Sequence, residues 1–232
     1  MTLKKSEEKK EVKKTTGSKY THTLRQKGGI YFYCGAVINR KNVFVTNEYI
    51  DLLVNAFKLT ELKKDVKNLG YVIMPNFFYW IFQLSSAQDD PVKIYGELKR
   101  DVASGILRNL KSEIDGEAYE MTDSFKNNER VGRSIPQKIL WTFEEQAKKF
   151  EQNKRYRVWV PKTEIRLLDT PDLVEQKLAI LKKAPVSERW QMADKPENYP
   201  YMYLSEDISE LGEQELKQYS MDLVSKIAFK SV

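Results

Sequence analysis

The sequence predicts an α+β chain: a ferredoxin-like (RRM-like) antiparallel sheet with helices packed on one face, and an additional C-terminal helix. Three observations lead there. Residues 69–84, LGYVIMPNFFYWIFQL, read as two strands around a Met-Pro-Asn turn. Ile94, Leu98, Val102, Ile106 and Leu110 recur every four residues, the apolar stripe of a helix. The order from Ile30 to Leu110 is strand, helix, strand, strand, helix, which a split βαβ sheet requires.

Taken in order, Gly28-Gly29 end a polar arm and residues 30–38 form a strand. Tyr31 and Tyr33 point to one face of it, and Ile30, Phe32 and Cys34 to the other. Residues 39–42 make a polar turn and 43–45 a short strand. Thr46 or Asn47 caps a helix in which Ile50, Leu53, Val54 and Phe57 keep the i, i+3, i+4, i+7 spacing, running towards Val66. In the strand pair, Pro75 has no N–H for a ladder and the Asn76 side chain can bond nearby backbone, so the two make the turn. The bulky run from Phe77 to Phe82 suits a covered strand. Asp90-Pro91 opens the striped helix, with proline at its first position.

Residues 112–134 show no periodicity and read as an exposed loop. A helix is expected over about 136–150, a strand over 155–160 and another over 164–168. Thr170-Pro171 opens a helix that stops near Ala184-Pro185. Residues 190–205 read mostly as loop. Leu216, Tyr219, Leu223 and Ile227 form a last stripe, docking on its own domain or on a partner. The expected division is a disordered basic arm (1–27), a domain (28–205) and a C-terminal amphipathic helix (206–232).

Composition limits the chemistry. With 232 residues, 41% hydrophobic, 31% charged and a mean hydropathy of −0.59, the chain can bury a sizeable core and stays hydrophilic. No apolar run approaches the roughly 18 residues of a membrane span. The lysine-rich N-terminus has no apolar segment after it, so no secretory signal is expected. Cys34 is the one cysteine, which rules out an internal disulfide and a cysteine zinc cluster and suits a cytoplasmic location, nucleoid-associated if the chain binds DNA. His22 is the one histidine, so a single chain holds neither a two-histidine metal site nor a histidine-relayed nucleophile.

The charge is concentrated. Lys4, Lys5, Lys9, Lys10, Lys13, Lys14, Lys19, Arg25 and Lys27 stand against three acids in residues 1–28, which accounts for the whole net charge of +6. The rest of the chain balances. Such an arm suits phosphate backbones, or serves only as a solubilising tail.

The strand pair resembles that of the REP-associated, single-tyrosine (His-hydrophobic-His) transposase family, where the segment typically reads (Y/W)V(I/V)MPNHxHL. Tyr71, Val72, Ile73, Met74, Pro75 and Asn76 stand as in that family, while its histidine positions hold Phe77 and Tyr79. Residues 173–203 resemble the family's closing segment, LxxKLxYIHNNPVxxGxVxxPEDYxYSS. Lys177, Leu178, Pro185 and Val186 match its first half. After a slip of about two residues, Pro196, Glu197, Tyr199 and Tyr201 match its second. Leu140-Trp141-Thr142-Phe143 and Val158-Trp159 resemble intervening segments of one branch, so the likeness runs over residues 28–203.

The resemblance implies a ferredoxin-like fold, recognition of hairpin or single-stranded DNA, and frequent dimers. It also implies a divalent metal and a tyrosine that attacks the scissile phosphate, leaving a covalent DNA adduct. Here the family's metal-binding histidines correspond to Phe77 and Tyr79, its nucleophile to Ile180, and its third ligand to Val160 or Lys183. The expectation is therefore no metal, no cofactor and no family catalytic residue. Phe77, Tyr79 and Ile180 should fill the former cleft between sheet and helix. An alternative is a base-stacking platform of Tyr31, Tyr33, Phe77 and Tyr79 on an open sheet face.

The expected function is that of a catalytically inactive, transposase-like DNA-binding protein, recognising hairpin or single-stranded DNA without cutting it. Phosphate contacts would come from the arm and from Lys99, Arg100, Arg108 and Lys111, unless those four are a solvated helix face. A homodimer is expected. Two alternatives stand: a nickase using an unrecognised nucleophile, and a protein-interaction subunit or RNA-binding module with no DNA role.

Overall fold

The computed structural model describes residues 28–64, 66–85, 90–124, 133–150, 154–161 and 164–206. The basic arm and the stripe from Leu216 to Ile227 lie outside them. The elements are β1 (Ile30–Ala36), α1 (Asn47–Lys63), β2 (Val66–Met74), β3 (Phe77–Leu84), α2 (Pro91–Ser124), α3 (Ile135–Lys148), β4 (Glu164–Leu167), α4 (Pro171–Val186) and β5 (Met202–Leu204). The sheet order is β4-β1-β3-β2-β5, and every neighbouring pair is antiparallel. With β1-α1-β2-β3-α2 in sequence and β4 beside β1, this is the ferredoxin-like arrangement, extended by β5 and by an insertion carrying α3.

Strand alternation sorts the aromatics onto two faces. Tyr31, Tyr33, Phe78, Trp80, Phe82 and Leu84 point towards α1 and α2. Ile30, Phe32, Cys34, Phe77, Tyr79 and Ile81 point the other way, where α4 lies against β2 and β3. Both faces are covered, so β3 reads as an almost unbroken apolar run. On the first face the Tyr33 and Tyr95 rings stack with centroids 4.2 Å apart, and the Tyr33 hydroxyl donates to the Pro91 carbonyl. β1 passes under Phe78 at Gly35, where a Cβ would sit 2.3 Å from Phe78 Cε1.

The Met-Pro-Asn turn does more than reverse the chain. The Pro75 carbonyl accepts from both Val43 and Phe44, and the Asn76 carbonyl from Val37. The buried Asn76 amide donates to the Arg40 carbonyl (3.2 Å) and to Asn42 Oδ1 (2.8 Å). At the far end of β2, a bulge between Asn68 and Gly70 turns Asn68 inward. There its Oδ1 accepts from Trp80 Nε1 (2.8 Å), and its Nδ2 donates to Glu61 (2.9 Å) and to the Phe57 carbonyl (3.3 Å). A buried indole N–H and a buried amide are thus satisfied together.

Several sequence expectations change. Residues 43–45 are not a strand, because the Val43 and Phe44 amides are taken by the Pro75 carbonyl and the Val45 amide by that of Val43 rather than by a ladder. α1 ends at Lys63 and β2 begins at Val66, three residues before the apolar run. α2 continues to Ser124, through much of the expected loop. Residues 155–160 make one isolated bridge, Val37 to Trp159, in place of a strand. α4 runs through Pro185 to Val186, and the expected loop contributes β5 to the open edge of β2. α3 keeps its expected place, closed at its start by a capping box between Ser134 and Gln137. No helix among the described residues is long and apolar enough to cross a membrane.

Candidate nucleic-acid interface

The α4 face holds the cleft that the sequence singles out. Phe77 and Tyr79 lie two residues apart on β3 and therefore side by side, with ring centroids 4.9 Å apart. Cross-strand pairing of Cys34 with Tyr79 brings Phe32 alongside, 5.3 Å from the Tyr79 ring. Trp190 closes the other side, 5.9 Å from Phe77. It is delivered by a reversal after α4, in which Trp190 and Gln191 donate to the Ser187 carbonyl and Gln191 takes a φ of 43°. Over Phe32 lies the Lys177 ammonium, 4.3 Å from the ring centroid on a side chain only 7% exposed.

Phe77 and Tyr79 do meet in the cleft; Ile180 does not join them. The buried side of α4 is Val174, Lys177, Leu178, Leu181, Ala184 and Pro185. Ile180 flanks that stripe, half-buried, and stands outside the apolar cluster of this face. The ring that completes the cleft is Trp190, from the segment 190–205 that the sequence marks only as loop. Phe77 carries no atom that could hold a divalent ion, and the polar groups on this face include the Tyr79 hydroxyl, the Cys34 thiol and the Lys177 ammonium. Among the described residues no three His, Cys, Asp or Glu side chains come together as a ligand set.

The stacking platform fails on geometry. Tyr31 and Tyr33 are fully buried against α1 and α2, on the face opposite Phe77 and Tyr79. Odd positions of β1 pair with even positions of β3, as in Tyr33 with Trp80, so the two tyrosine pairs cannot share a surface. Neither Tyr31 nor Tyr33 can touch a base.

The cationic candidates divide. Lys4, Lys5, Lys9, Lys10, Lys13, Lys14, Arg25 and Lys27 lie outside the described residues. Arg100, Arg108 and Lys111 are exposed on α2, and Arg100 sits 3.7 Å from Asp101. Lys99 is half-buried and turns into a groove of about 680 Å³ between α2 and the segment 154–161. Its ammonium is 5.0 Å from the Tyr95 ring centroid and 5.9 Å from that of Trp159. The Trp159 indole donates to the Lys99 carbonyl at 2.8 Å, fixing the segment to the helix. Burial, and then the charge of Arg157, push the Lys99 pKa down to about 8.

Arg157 reaches the same groove with its guanidinium 3.8 Å from the Phe150 ring centroid, and its buried Nη1 has no hydrogen-bond partner. Arg100 and Lys154 line the groove too, and none of its described lining residues is acidic. Tyr156 on its wall is flanked by Lys111 and Arg155, each 5.2 Å from the ring centroid. Of the four α2 candidates, Lys99 and Arg100 are in the groove, Lys111 borders it through Tyr156, and Arg108 stands apart. Lys154, Arg157 and Trp159 were missed as site residues. The signal for them was present in KRYRVWV, cations interleaved with aromatics, which strand alternation masked.

By its topology and by what fills its two sides, this is a ferredoxin-like α+β protein with an aromatic-filled cleft under α4 and a basic groove beside α2. No family model matches the chain, and no curated protein does. Among solved structures it is similar to one described as the structure of the REP associates tyrosine transposase bound to a REP hairpin. The two share 14% identity over 79% of this chain and 81% of that one, with a TM-score of 0.49.

Proposed function

We propose that this chain is a transposase-like DNA-binding protein that engages hairpin or single-stranded DNA and does not cut it. The observation that carries this reading is the ring cluster of Phe32, Phe77, Tyr79 and Trp190. It occupies the sheet face where the sequence resemblance implies a metal and an attacking tyrosine. Filling such a cleft with apolar area stabilises the fold at about 25 cal/mol per Å², whereas a reactive site keeps donors and water there. The DNA preference rests on the motif likeness of residues 69–84 and 173–203, and on the basic arm.

The test uses the full chain with a fluorescent DNA hairpin and a single-stranded oligonucleotide, with Mg²⁺ or with EDTA. Anisotropy reads binding, and a denaturing gel reads covalent adducts and cleavage. The expected result is binding in both buffers without adduct or product. An adduct that disappears with Tyr79→Phe would make the chain a nickase using the one hydroxyl left among these rings. Absence of binding to every DNA tried would favour the protein-interaction or RNA-binding alternative.

A further inference from the structure

The groove between α2 and residues 154–161 lies on the opposite side of the sheet from the filled cleft, and one residue of its lining carries a buried polar atom that the fold does not pair. That atom is Arg157 Nη1. A guanidinium nitrogen buried without a partner carries its full desolvation cost, and such groups are normally satisfied. Arg157 also lines a cavity wide enough for a ligand, since binding pockets commonly run about 300–1,000 Å³. Lys99, Arg100 and Lys154 line the same cavity, without a carboxylate among the described residues. Cations that gather along one groove, with a buried guanidinium nitrogen left unpaired among them, suit an anion from outside.

We propose that this groove is a docking site for the phosphodiester backbone of single-stranded nucleic acid, with the Arg157 guanidinium and the Lys99 ammonium gripping one phosphate between them. The inference rests on the DNA-binding reading above and assigns it a place. The planar guanidinium suits bidentate contact with two phosphate oxygens, and the Phe150 ring under it fixes its plane. Lys99, held between Tyr95 and Trp159, supplies a point charge from the facing wall. Lys111 and Arg155, either side of Tyr156, extend the positive rim for flanking phosphates. None of these groups reads a base edge, so the site holds strands without regard to sequence. Because the cleft is on the other side, a strand can be gripped here while the cleft stays shut.

The test follows the Arg157 Nε–H resonance by NMR in the full chain, on adding oligothymidylate and, separately, inorganic pyrophosphate. Anisotropy on the same oligonucleotide gives affinity and its salt dependence. Both ligands are expected to shift the resonance. Arg157→Gln should weaken oligonucleotide binding roughly tenfold to a hundredfold and reduce the salt slope by about one. Arg157→Lys should fall between, and Lys58→Gln, exposed on α1, should change nothing. An unchanged thermal melt for each variant separates lost contact from lost fold; if Arg157→Gln melts early, Lys154→Gln replaces it with the same expected direction. Oligonucleotide binding with an unmoved Arg157 signal would overturn the groove assignment and leave the DNA-binding reading standing. A shift with pyrophosphate alone, and no oligonucleotide binding, would overturn both, leaving a small-anion site. Silence with both ligands would overturn the groove as an anion site of any kind.

Discussion

Lys99 leaves the solvated side of α2 and runs between the Tyr95 and Trp159 rings, with Arg157 beside it. Its pKa falls from the ordinary 10.5 to about 8, first through burial and then through the charge of Arg157. Above 10.5 the amine is neutral in both folded and unfolded chains, and below 8 it is charged in both. Between those values the unfolded chain holds more protons, so Lys99 makes stability rise with pH across that window. Wild type should therefore gain on Lys99→Met in urea unfolding as pH goes from 8 to 10. A difference that stays flat would mean the ammonium is not penalised. Phosphate binding should run the other way. A bound phosphate favours the protonated form, so affinity should drop as pH passes 8, and Lys99→Arg should remove that drop.

At the scale of elements, the β2–β3 turn ties together segments distant in sequence. Asn76 reaches back to Arg40 and Asn42, and Pro75 accepts from Val43 and Phe44. Asn76→Ala would leave the Arg40 carbonyl and Asn42 Oδ1 without that donor and should destabilise by about 1–3 kcal/mol. Hydrogen exchange should speed up at Val43 and Phe44 before it does in β3; equal acceleration throughout would show that the turn acts only through global stability.

The hairpin and the stripe of α2 were legible in sequence, because each has a local period and its own stop signals. Other elements had no such mark. β5 is three residues whose partner is the open edge of β2, with Gly70 opposite Leu204, and a pairing of that reach leaves nothing periodic in its own sequence. The later part of α2 is helical without an apolar stripe, on the propensity of residues such as Glu, Ala, Lys and Met, so a pattern search passes over it. Residues 155–160 alternate as a strand does, yet Arg157 donates to Phe143 and Val160 to Ala36, and no ladder forms. The candidate site shows the same split. Phe77 and Tyr79 could be placed from strand alternation alone, but Trp190 enters through a reversal with a left-handed Gln191, and Ile180 misses by the pitch of a helix.

For the whole molecule, the decisive property is where charge sits relative to the fold. Removing residues 1–27 takes away the entire net charge of +6, leaving a neutral chain that still carries the groove. The sheet and the helices on both its faces are built from residues after 27, so the thermal melt is expected to be unchanged. DNA affinity should change in a salt-dependent way, because each phosphate neutralised contributes about −0.9 to the slope of log K against log salt on duplex and about −0.7 on single strands. With up to nine arm cations gone, the slope should fall by several units. A residual slope of about −3 to −4 on DNA should survive from Lys99, Arg100, Lys154 and Arg157. The loss should be large at 50 mM salt and small near 200 mM, where screening weakens surface charges more than half-buried ones. A truncated chain with the full slope would mean that the arm never meets DNA. One with no slope left would place all phosphate contact in the arm and leave the groove without a role in binding.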